Sequence, residues 1–126
     1  MSFYIIKSKE KLIYSNKSYL ESIIQNLLTN SLKYKSLDRT LEIKISLVEQ
    51  VNYIWLIFED NGIGIDLPKY KEKLFGLYQK FHDSPDSKGL GLYLVKSQIE
   101  SMNGKIEVES TVGVGTKFIL KFKNPV

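Results

Sequence analysis

The stretch Asn26-Leu-Leu-Thr-Asn-Ser-Leu-Lys-Tyr34 decides how the rest of this chain is interpreted. On an α-helix, Asn26, Asn30, Lys33 and Tyr34 share one face, because residues three and four apart are neighbours there. Amide oxygens suit a hydrated magnesium ion, an ammonium group suits phosphate, and an aromatic ring suits a planar base. This face therefore carries most of the groups that a magnesium nucleotide needs.

The surrounding residues predict that this stretch lies on a long helix. Asn16 or Ser18 is expected to cap this helix, and Ser18 and Glu21 match a capping box. Apolar residues then repeat at spacings of three and four: Tyr19, Leu20, Ile23, Ile24, Leu27 and Leu28. This is the pattern of an amphipathic helix that packs one face against a core.

Strand patterns occur on both sides of this helix. Residues 41–47 alternate apolar and polar, which predicts a half-buried strand. Residues 53–58 are continuously apolar, which predicts a central strand covered on both faces. Residues 105–110 and 117–123 predict two strands joined by a glycine-rich turn. Short apolar pieces at residues 3–7 and 12–14 predict a hairpin-like start.

Two more helices are predicted along the chain. Residues 67–81 hold a helical pattern with Pro68 near its start, and residues 90–102 hold another that ends at Asn103-Gly104. Strands and helices segregate rather than alternate. The fold class is therefore α+β, with one mixed, mostly antiparallel sheet and about three helices on one face.

The bulk composition limits the classes of function. A length of 126 residues fits one domain, and the absence of cysteine excludes disulfides and thiolate metal sites. No apolar run approaches the roughly 18 residues that cross a bilayer, and the N-terminus lacks a signal sequence. We therefore expect a cytoplasmic domain without direct membrane contact. The net charge of +4 comes from dispersed lysines and is typical of a solvated, lysine-rich surface. The dispersion argues against nucleic-acid binding, whereas a few lysines near one cleft would attract an acidic ligand.

Five stretches in a fixed order resemble the ATP-binding domain of sensor histidine kinases. Asn26 to Tyr34 resembles the N box of that family, and Asp60-Asn-Gly-Ile-Gly-Ile65 resembles its G1 box. Three more stretches resemble the F box, the G2 box and the closing strand: Leu74-Phe-Gly-Leu-Tyr-Gln-Lys-Phe-His82, Lys88-Gly-Leu-Gly-Leu-Tyr-Leu-Val-Lys96 and Gly113-Val-Gly-Thr-Lys-Phe118. The resemblance implies the Bergerat ATP-binding fold, a two-layer α/β sandwich. It also implies that residues 1–126 form one catalytic domain without a dimerisation or phosphoacceptor domain.

The N box resemblance implies a role for each polar residue of the helix. Asn30 is expected to bind Mg²⁺ with Asn26 as a helper, because a carboxamide oxygen binds the ion without neutralising it. Lys33 is expected at the phosphates and Tyr34 against the adenine. ATP-hydrolysing relatives of this fold hold a glutamate at the position of Asn26, where it activates water. An amide is no such base, so the site is expected to hold ATP for a different nucleophile.

The G1 box and the closing strand are implied to recognise the base. Asp60 is expected to accept a hydrogen bond from the adenine amino group, and Thr116 to join this network through water. Gly62 and Gly64 would let the backbone approach the base, with Ile65 beside them. From these residues alone, an ordinary Asp-Asn-Gly turn is the alternative.

The G2 box is implied to bind phosphate at a helix N-terminus, where free amides attract anions. The residues expected there are Lys88, Gly89, Leu90, Gly91 and Leu92. This stretch is not a P-loop, because no Gly-Lys-Ser/Thr follows the glycines. Lys80 stands where the family often has an arginine and is expected to reach the γ-phosphate. Residues 82–88 are expected to be a mobile lid, with His82 in a lid or solvent-facing role.

Three features depart from the family pattern. Ser31 stands where alanine is common, and Ser87 stands where the family often has the first glycine of its G2 box. Residues 81–89 leave a very short lid.

The implied activity is that of the catalytic half of a two-component histidine kinase. With ATP and Mg²⁺ as cofactors, it would transfer the γ-phosphoryl group to a histidine on a separate dimerisation domain. Asn30, Lys33 and Lys80 would be its catalytic residues, and a response-regulator receiver would act downstream. Two alternatives are a free-standing serine kinase of the anti-sigma type and a degenerate nucleotide-binding interaction module.

Overall fold

The structure is a computed structural model that describes the backbone of residues 2–7, 17–76 and 91–123, and the side chains of residues 19–76 and 91–123. Its elements are, in chain order, β1 Ser2–Lys7, α1 Lys17–Lys33, β2 Glu42–Glu49, β3 Tyr53–Asp60, α2 Leu67–Tyr70, α3 Gly91–Ser101, β4 Lys105–Thr111 and β5 Gly115–Lys123. The strands form one sheet in the order β1-β2-β3-β5-β4. β1 is parallel to β2 and the other neighbours are antiparallel, so the predicted mixed, mostly antiparallel sheet is confirmed.

One face of the sheet carries the hydrophobic core. Ile45, Phe58 and Phe118 are matched in register across β2, β3 and β5, and the two phenylalanines are fully buried. Helices α1 and α3 pack over this face with four fully buried side chains: Ile23, Leu27, Val95 and Ile99. The period of two in the strands and of about 3.6 in the helices thus leads to a single core.

β3 is the central strand, as predicted, but only one of its faces is fully buried. Leu56 and Phe58 lie in the core, whereas Trp55 and Ile57 on the opposite face are half-buried. The predicted cover on both faces is therefore only partial, because the helices pack on one side. On the outer face, Lys121 Nζ lies 4.4 Å from the centroid of the Trp55 ring and shields part of it.

Helix α1 is the predicted long helix. Ile23, Leu27 and Ser31 are buried at intervals of four residues, which is the spacing of one helix face. Asn26 and Asn30 are half-buried and lie along one edge of this stripe. The helix therefore presents amide groups beside its contact with the core.

The helix predicted over residues 67–81 is much shorter in the structure. α2 covers only Leu67–Tyr70, and turns follow through residues 71–75. Leu74 is nevertheless buried in the core. The apolar spacing in this segment therefore indicated which positions are buried, and not that the segment is a continuous helix. Turns can bury such positions as well. Residues 77–81 lie outside the described residues.

Helix α3 ends where the sequence predicted. Asn103 has a φ of 59°, and the N–H of Gly104 donates to the carbonyl of Ile99 at 2.8 Å. Asparagine accepts this left-handed conformation better than most residues because its short side chain can hydrogen-bond locally. The described part of the helix begins at Gly91, and Leu90 lies outside it.

The N-terminal strand β1 lies at the edge of the sheet, beside β2. The second piece of the predicted hairpin-like start, residues 12–14, lies outside the described residues. Among the helices that the structure describes, none is both long and apolar enough to cross a membrane.

Candidate functional site

Polar side chains replace the apolar core at one end of the sheet. Asp60 is the last residue of β3, Thr116 is its register partner on β5, and Ser110 is the register partner of Thr116 on β4. Strand alternation puts all three on the same face as Phe58 and Phe118. We refer to Asp60, Ser110 and Thr116 as the polar sheet end.

Both carboxylate oxygens of Asp60 accept hydrogen bonds from the protein. Ser31 Oγ of α1 donates to Oδ2 at 2.7 Å, and the N–H of Gly62 donates to Oδ1 at 2.9 Å. Ser31 is 2% exposed and Asp60 is half-buried, so the helix end of this link is shielded from water. Hydrogen bonds to an ionised acceptor are stronger than those between neutral groups. The Asp60 carboxylate is therefore held in one orientation, and each oxygen keeps acceptor capacity.

Arg39 holds the loop that follows β3 against the β4–β5 hairpin. Its Nε donates to the carbonyl of Asn61 at 2.8 Å, and its Nη2 donates to those of Gly62, Gly113 and Val114 at 2.8, 2.9 and 3.2 Å. Arg39 is the only arginine of the chain, and no sequence pattern indicated its role. It lies in an irregular polar loop, where no periodicity indicates its partners.

The side chain of Asn61 fastens the same loop to β2. Its Oδ1 accepts from the N–H of Glu42 at 2.8 Å, and its Nδ2 donates to the carbonyl of Thr40 at 2.9 Å. Asn61 belongs to the G1 box, and its role follows from these contacts rather than from the sequence. These two hydrogen bonds extend the pairing between β2 and β3 beyond Asp60, the last residue of β3.

The two glycines of the G1 box pack against protein backbone. Gly64 has a φ of 78°, and a Cβ there would lie 2.2 Å from the carbonyl oxygen of Thr111. Gly62 is buried as well. The close approach that was predicted toward a base is here made to the hairpin and to the chain after α1. A role of these glycines beside a base stays a prediction.

Ser110 joins two predicted site residues that are distant in sequence. Its Oγ accepts from the N–H of Ile65 at 2.8 Å and lies 2.8 Å from Thr116 Oγ1. It also donates to the carbonyl of Gly115 at 2.8 Å. Thr116 is 7% exposed. The sequence did not indicate a role for Ser110 in the site, because a serine at the end of an alternating strand is also typical of an ordinary surface position.

Asn26 lies beside the start of α3, and Asn30 lies one turn further along the same face of α1. Asn26 Nδ2 donates to the carbonyl of Ser22 at 3.0 Å, and its Oδ1 lies 3.6 Å from the position of a Cβ on Gly91. The half-buried side chain of Asn30 makes no hydrogen bond with any residue in the described ranges. We refer to Asn26, Asn30 and Gly91 as the amide edge. Asn26 of the N box thus lies beside Gly91 of the G2 box.

The remaining described site residues differ in burial. Lys33 is exposed in the last turn of α1. Tyr34 and Leu92 are buried in the core cluster, and the Tyr34 carbonyl accepts from the N–H of Ile63 at 2.9 Å. Tyr34 and Leu92 thus belong to the core that supports the polar groups. A contact of Tyr34 with a base stays a prediction.

Part of the predicted site lies outside the described residues, namely Lys80, Lys88, Gly89 and Leu90, together with His82 and the lid at 82–88. Within residues 17–76 and 91–123, no cluster of three His, Cys, Asp or Glu side chains could hold a metal ion. A magnesium ion here would depend on amide oxygens of the amide edge and on oxygens of its ligand. This donor set fits Mg²⁺, which takes oxygen ligands and usually keeps several waters.

Comparison with known proteins identifies a family and several relatives. Residues 15–126 match the family described as histidine kinase-, DNA gyrase B-, and HSP90-like ATPase. Histidine protein kinase SaeS of Staphylococcus aureus (strain USA300) is 36% identical over 107 residues, covering 82% of this chain and 30% of the relative. Sensor protein RprX of Bacteroides fragilis (strain YCH46) is 32% identical over 119 residues, covering 91% of this chain and 23% of the relative. The chain thus spans less than a third of these relatives.

Solved structures share the fold. Mycobacterial sensor histidine kinase MprB has a TM-score of 0.82 at 20% identity, covering 97% of this chain and 82% of that one. The catalytic domain of histidine kinase ThkA has a TM-score of 0.81 at 22% identity, covering 98% and 80%. The α+β fold predicted from the sequence is confirmed. The chain belongs to the family of histidine kinase-, DNA gyrase B- and HSP90-like ATPases, as its resemblance to the histidine kinases predicted.

Proposed function

We propose that this chain binds Mg-ATP and acts as the catalytic domain of a sensor histidine kinase. The observation that carries this proposal is the Asp60 carboxylate, which Ser31 and Gly62 orient at the end of the core. A fixed acceptor of this kind suits the amino group of adenine. The kinase branch of the family is supported by the relatives, since SaeS is named a histidine protein kinase and RprX a sensor protein.

The amide edge is the proposed place of the triphosphate and its metal. Asn30 offers an amide oxygen without a protein partner in the described ranges, and Asn26 lies beside the first residue of α3. A bound Mg²⁺ would neutralise charge on the phosphates and orient the γ-phosphoryl group. Lys33 would add a positive charge at the phosphates. Lys80 and residues 88–92 complete the set of residues proposed to contact the phosphates.

Transfer to a protein fits the site better than hydrolysis of ATP. Hydrolysis in this fold needs a general base that activates water. At position 26 the chain has an amide, and this amide already donates to the Ser22 carbonyl. The proposed acceptor is a histidine on a separate dimerisation domain, and a response-regulator receiver would take the phosphoryl group from there.

The proposal is tested by binding first and by transfer second. Calorimetric titration with ATP, in magnesium and then in EDTA, measures binding and its metal dependence. The chain is then incubated with γ-labelled ATP, alone and with the dimerisation fragment of a sensor histidine kinase. We expect acid-labile label on the fragment and none on the chain. Acid-labile label that persists on the chain incubated alone would contradict the proposal that the acceptor histidine lies on a separate domain.

The same assay distinguishes the two alternatives. A serine kinase of the anti-sigma type would place acid-stable label on an acidic antagonist protein and none on the dimerisation fragment. A degenerate module would bind no nucleotide, or would bind it and label neither protein.

A further inference from the structure

The hydroxyl group of Ser110 has three close partners. Its Oγ lies 2.8 Å from the nitrogen of Ile65, 2.8 Å from the carbonyl oxygen of Gly115 and 2.8 Å from Thr116 Oγ1. A hydroxyl group has one proton and two lone pairs. Three partners therefore use its whole hydrogen-bonding capacity.

The chemistry of the partners decides where the protons lie. The Gly115 carbonyl can only accept, so it takes the Ser110 proton, and the Ile65 N–H can only donate, so it uses one lone pair. The second lone pair then accepts the proton of Thr116. In the opposite arrangement, Ser110 Oγ would direct a lone pair at the Gly115 carbonyl oxygen 2.8 Å away, which is repulsive.

Thr116 therefore has no proton left for a ligand. The carboxylate of Asp60 offers acceptors only, and its two oxygens already accept from Ser31 and Gly62. Asp60 and Thr116 are register partners on one face of the sheet. From the side chains of Asp60 and Thr116, a group that binds at this end meets lone pairs only.

We propose that Ser110 is a positioning residue whose Oγ accepts a hydrogen bond from the Thr116 hydroxyl group. It thereby makes the polar sheet end select bases with an amino group. This inference rests on the proposed function, because it takes the ligand to be a nucleotide. A base without an amino group leaves the lone pairs of Asp60 and Thr116 unmatched, and unmatched buried polar atoms cost affinity. Without the Ser110 oxygen, Thr116 can turn its proton toward Asp60 or toward a ring nitrogen of the base. The requirement for an amino group then weakens.

The test compares ATP with purine riboside triphosphate, which has a hydrogen in place of the 6-amino group. Calorimetry in magnesium gives both dissociation constants for the wild type, Ser110→Ala and Ser110→Thr. We expect the wild type to prefer ATP at least about tenfold, and Ser110→Ala to prefer it about threefold or less. Ser110→Thr keeps the hydroxyl group and should keep the wild-type preference. The matched control is Ser101→Ala, whose hydroxyl group donates to the Ser97 carbonyl at 2.9 Å on the exposed side of α3.

Each result has a definite meaning. An unchanged preference in Ser110→Ala, including an equal loss for both nucleotides, overturns the inference and leaves Ser110 as a supporting residue. A wild type that binds neither nucleotide overturns the proposed function and the inference with it. A wild type that binds both equally overturns the inference alone.

The preference is a ratio measured on one protein, so partial unfolding lowers both affinities equally. If Ser110→Ala does not fold, Ser110→Cys is the second variant, because it keeps the side-chain volume and its sulfur is a weak acceptor. We expect it to show the reduced preference of Ser110→Ala. A preference equal to that of the wild type would overturn the inference.

Discussion

The polar sheet end and the amide edge are built in opposite ways. In the polar sheet end, Asp60, Ser110 and Thr116 all have protein partners at 2.7 to 2.9 Å. In the amide edge, Asn26 donates only to Ser22, to its carbonyl at 3.0 Å and its Oγ at 3.5 Å, and the Asn30 side chain has no partner within the described ranges. The side chains of the polar sheet end are hydrogen-bonded to the protein before a ligand binds. In the amide edge, the Asn30 side chain has no such partner in the described ranges and can bind a ligand.

This difference indicates how the two ends contribute to binding. Groups that the protein already orients lose little freedom on binding, so they recognise shape and chemistry with little entropic loss. A half-buried amide that water can reach is stable without a protein partner, and its oxygen could bind the proposed metal ion. We therefore expect changes at the polar sheet end to alter stability and base selection. Changes at the amide edge should alter metal dependence alone.

The largest expected effect is at Gly115, which holds the polar sheet end together. It has a φ of 153°, and a Cβ there would lie 2.0 Å from the carbonyl oxygen of Asp60. Gly115→Ala should lower the free energy of unfolding by about 3 kcal/mol, from strain and displaced backbone. Urea denaturation measures this loss.

Gly113→Ala is the matched control for Gly115→Ala. Gly113 also has a positive φ, of 82°, but nothing lies within 4 Å of a Cβ at this position. Its replacement should lower the free energy of unfolding by about 1 kcal/mol, from the left-handed backbone alone. Equal losses in the two variants would show that the approach of Gly115 to Asp60 has no structural importance.

The next effect concerns base selection by Asp60. The wild type should prefer ATP over GTP by at least about tenfold, because guanine would place a carbonyl oxygen against the carboxylate. The Asn side chain of Asp60→Asn can turn its amide group toward either base. The affinity for ATP should therefore fall about thirtyfold, and the preference for ATP over GTP should become smaller. Competition binding with both nucleotides measures the change.

Asp66→Asn is the control for Asp60→Asn. Asp66 is exposed and caps α2 through the N–H of Lys69 at 3.3 Å, so its replacement should leave both affinities unchanged. Equal affinity of the wild type for ATP and GTP would show that Asp60 is only a turn residue.

The two ends also differ in how much of them the sequence predicts. Asn26, Asn30 and Asp60 could be singled out because helix spacing and the end of an apolar run are local patterns. The fold class followed from the same periodicities. The short α2 could not be predicted, because apolar spacing reports burial and turns can bury Leu74 as well as a helix does.

The partners of these residues could not be predicted from the sequence. Arg39 contacts carbonyls that are 22 to 75 residues away, and Ser31 reaches across 29 residues to Asp60. Such contacts depend on which strands become neighbours, and a pattern within one segment does not contain that information. The one local signal was Ser31 itself, since alanine is common at this position in the family it resembles.

At the amide edge, Asn30→Ala tests whether the open amide serves the metal. It should lower the affinity for ATP in magnesium about tenfold and leave the affinity in EDTA unchanged. The free energy of unfolding should stay within about 0.5 kcal/mol of the wild type, because the Asn30 side chain makes no hydrogen bond within the described ranges. Calorimetry in both buffers and urea denaturation supply the three values.

Asn52→Ala is the control for Asn30→Ala, since Asn52 is exposed in the turn between β2 and β3. It should change none of the three values. An equal loss of affinity in magnesium and in EDTA for Asn30→Ala would mean that the amide contacts the nucleotide rather than the metal.

The smallest expected effect is at Ser31, which links the helix of the amide edge to the polar sheet end. Ser31→Ala removes one donor to Asp60 but keeps the bond from Gly62. We expect the free energy of unfolding to fall by about 1 kcal/mol and the affinity for ATP to fall about threefold. The loss is limited because Asp60 stays in place and loses only part of its orientation.

Ser36→Ala separates the effect on Asp60 from the general effect of removing a buried hydroxyl group. Ser36 is 8% exposed, and its Oγ accepts from the N–H of Asp38 at 3.1 Å. Because this partner is a neutral backbone group outside the site, Ser36→Ala should lower stability without changing the affinity for ATP. If Ser31→Ala also changes only stability, the Ser31 bond supports the fold and does not orient the carboxylate. A loss of ATP affinity in Ser31→Ala alone would show that the helix contributes to base recognition through this one hydrogen bond.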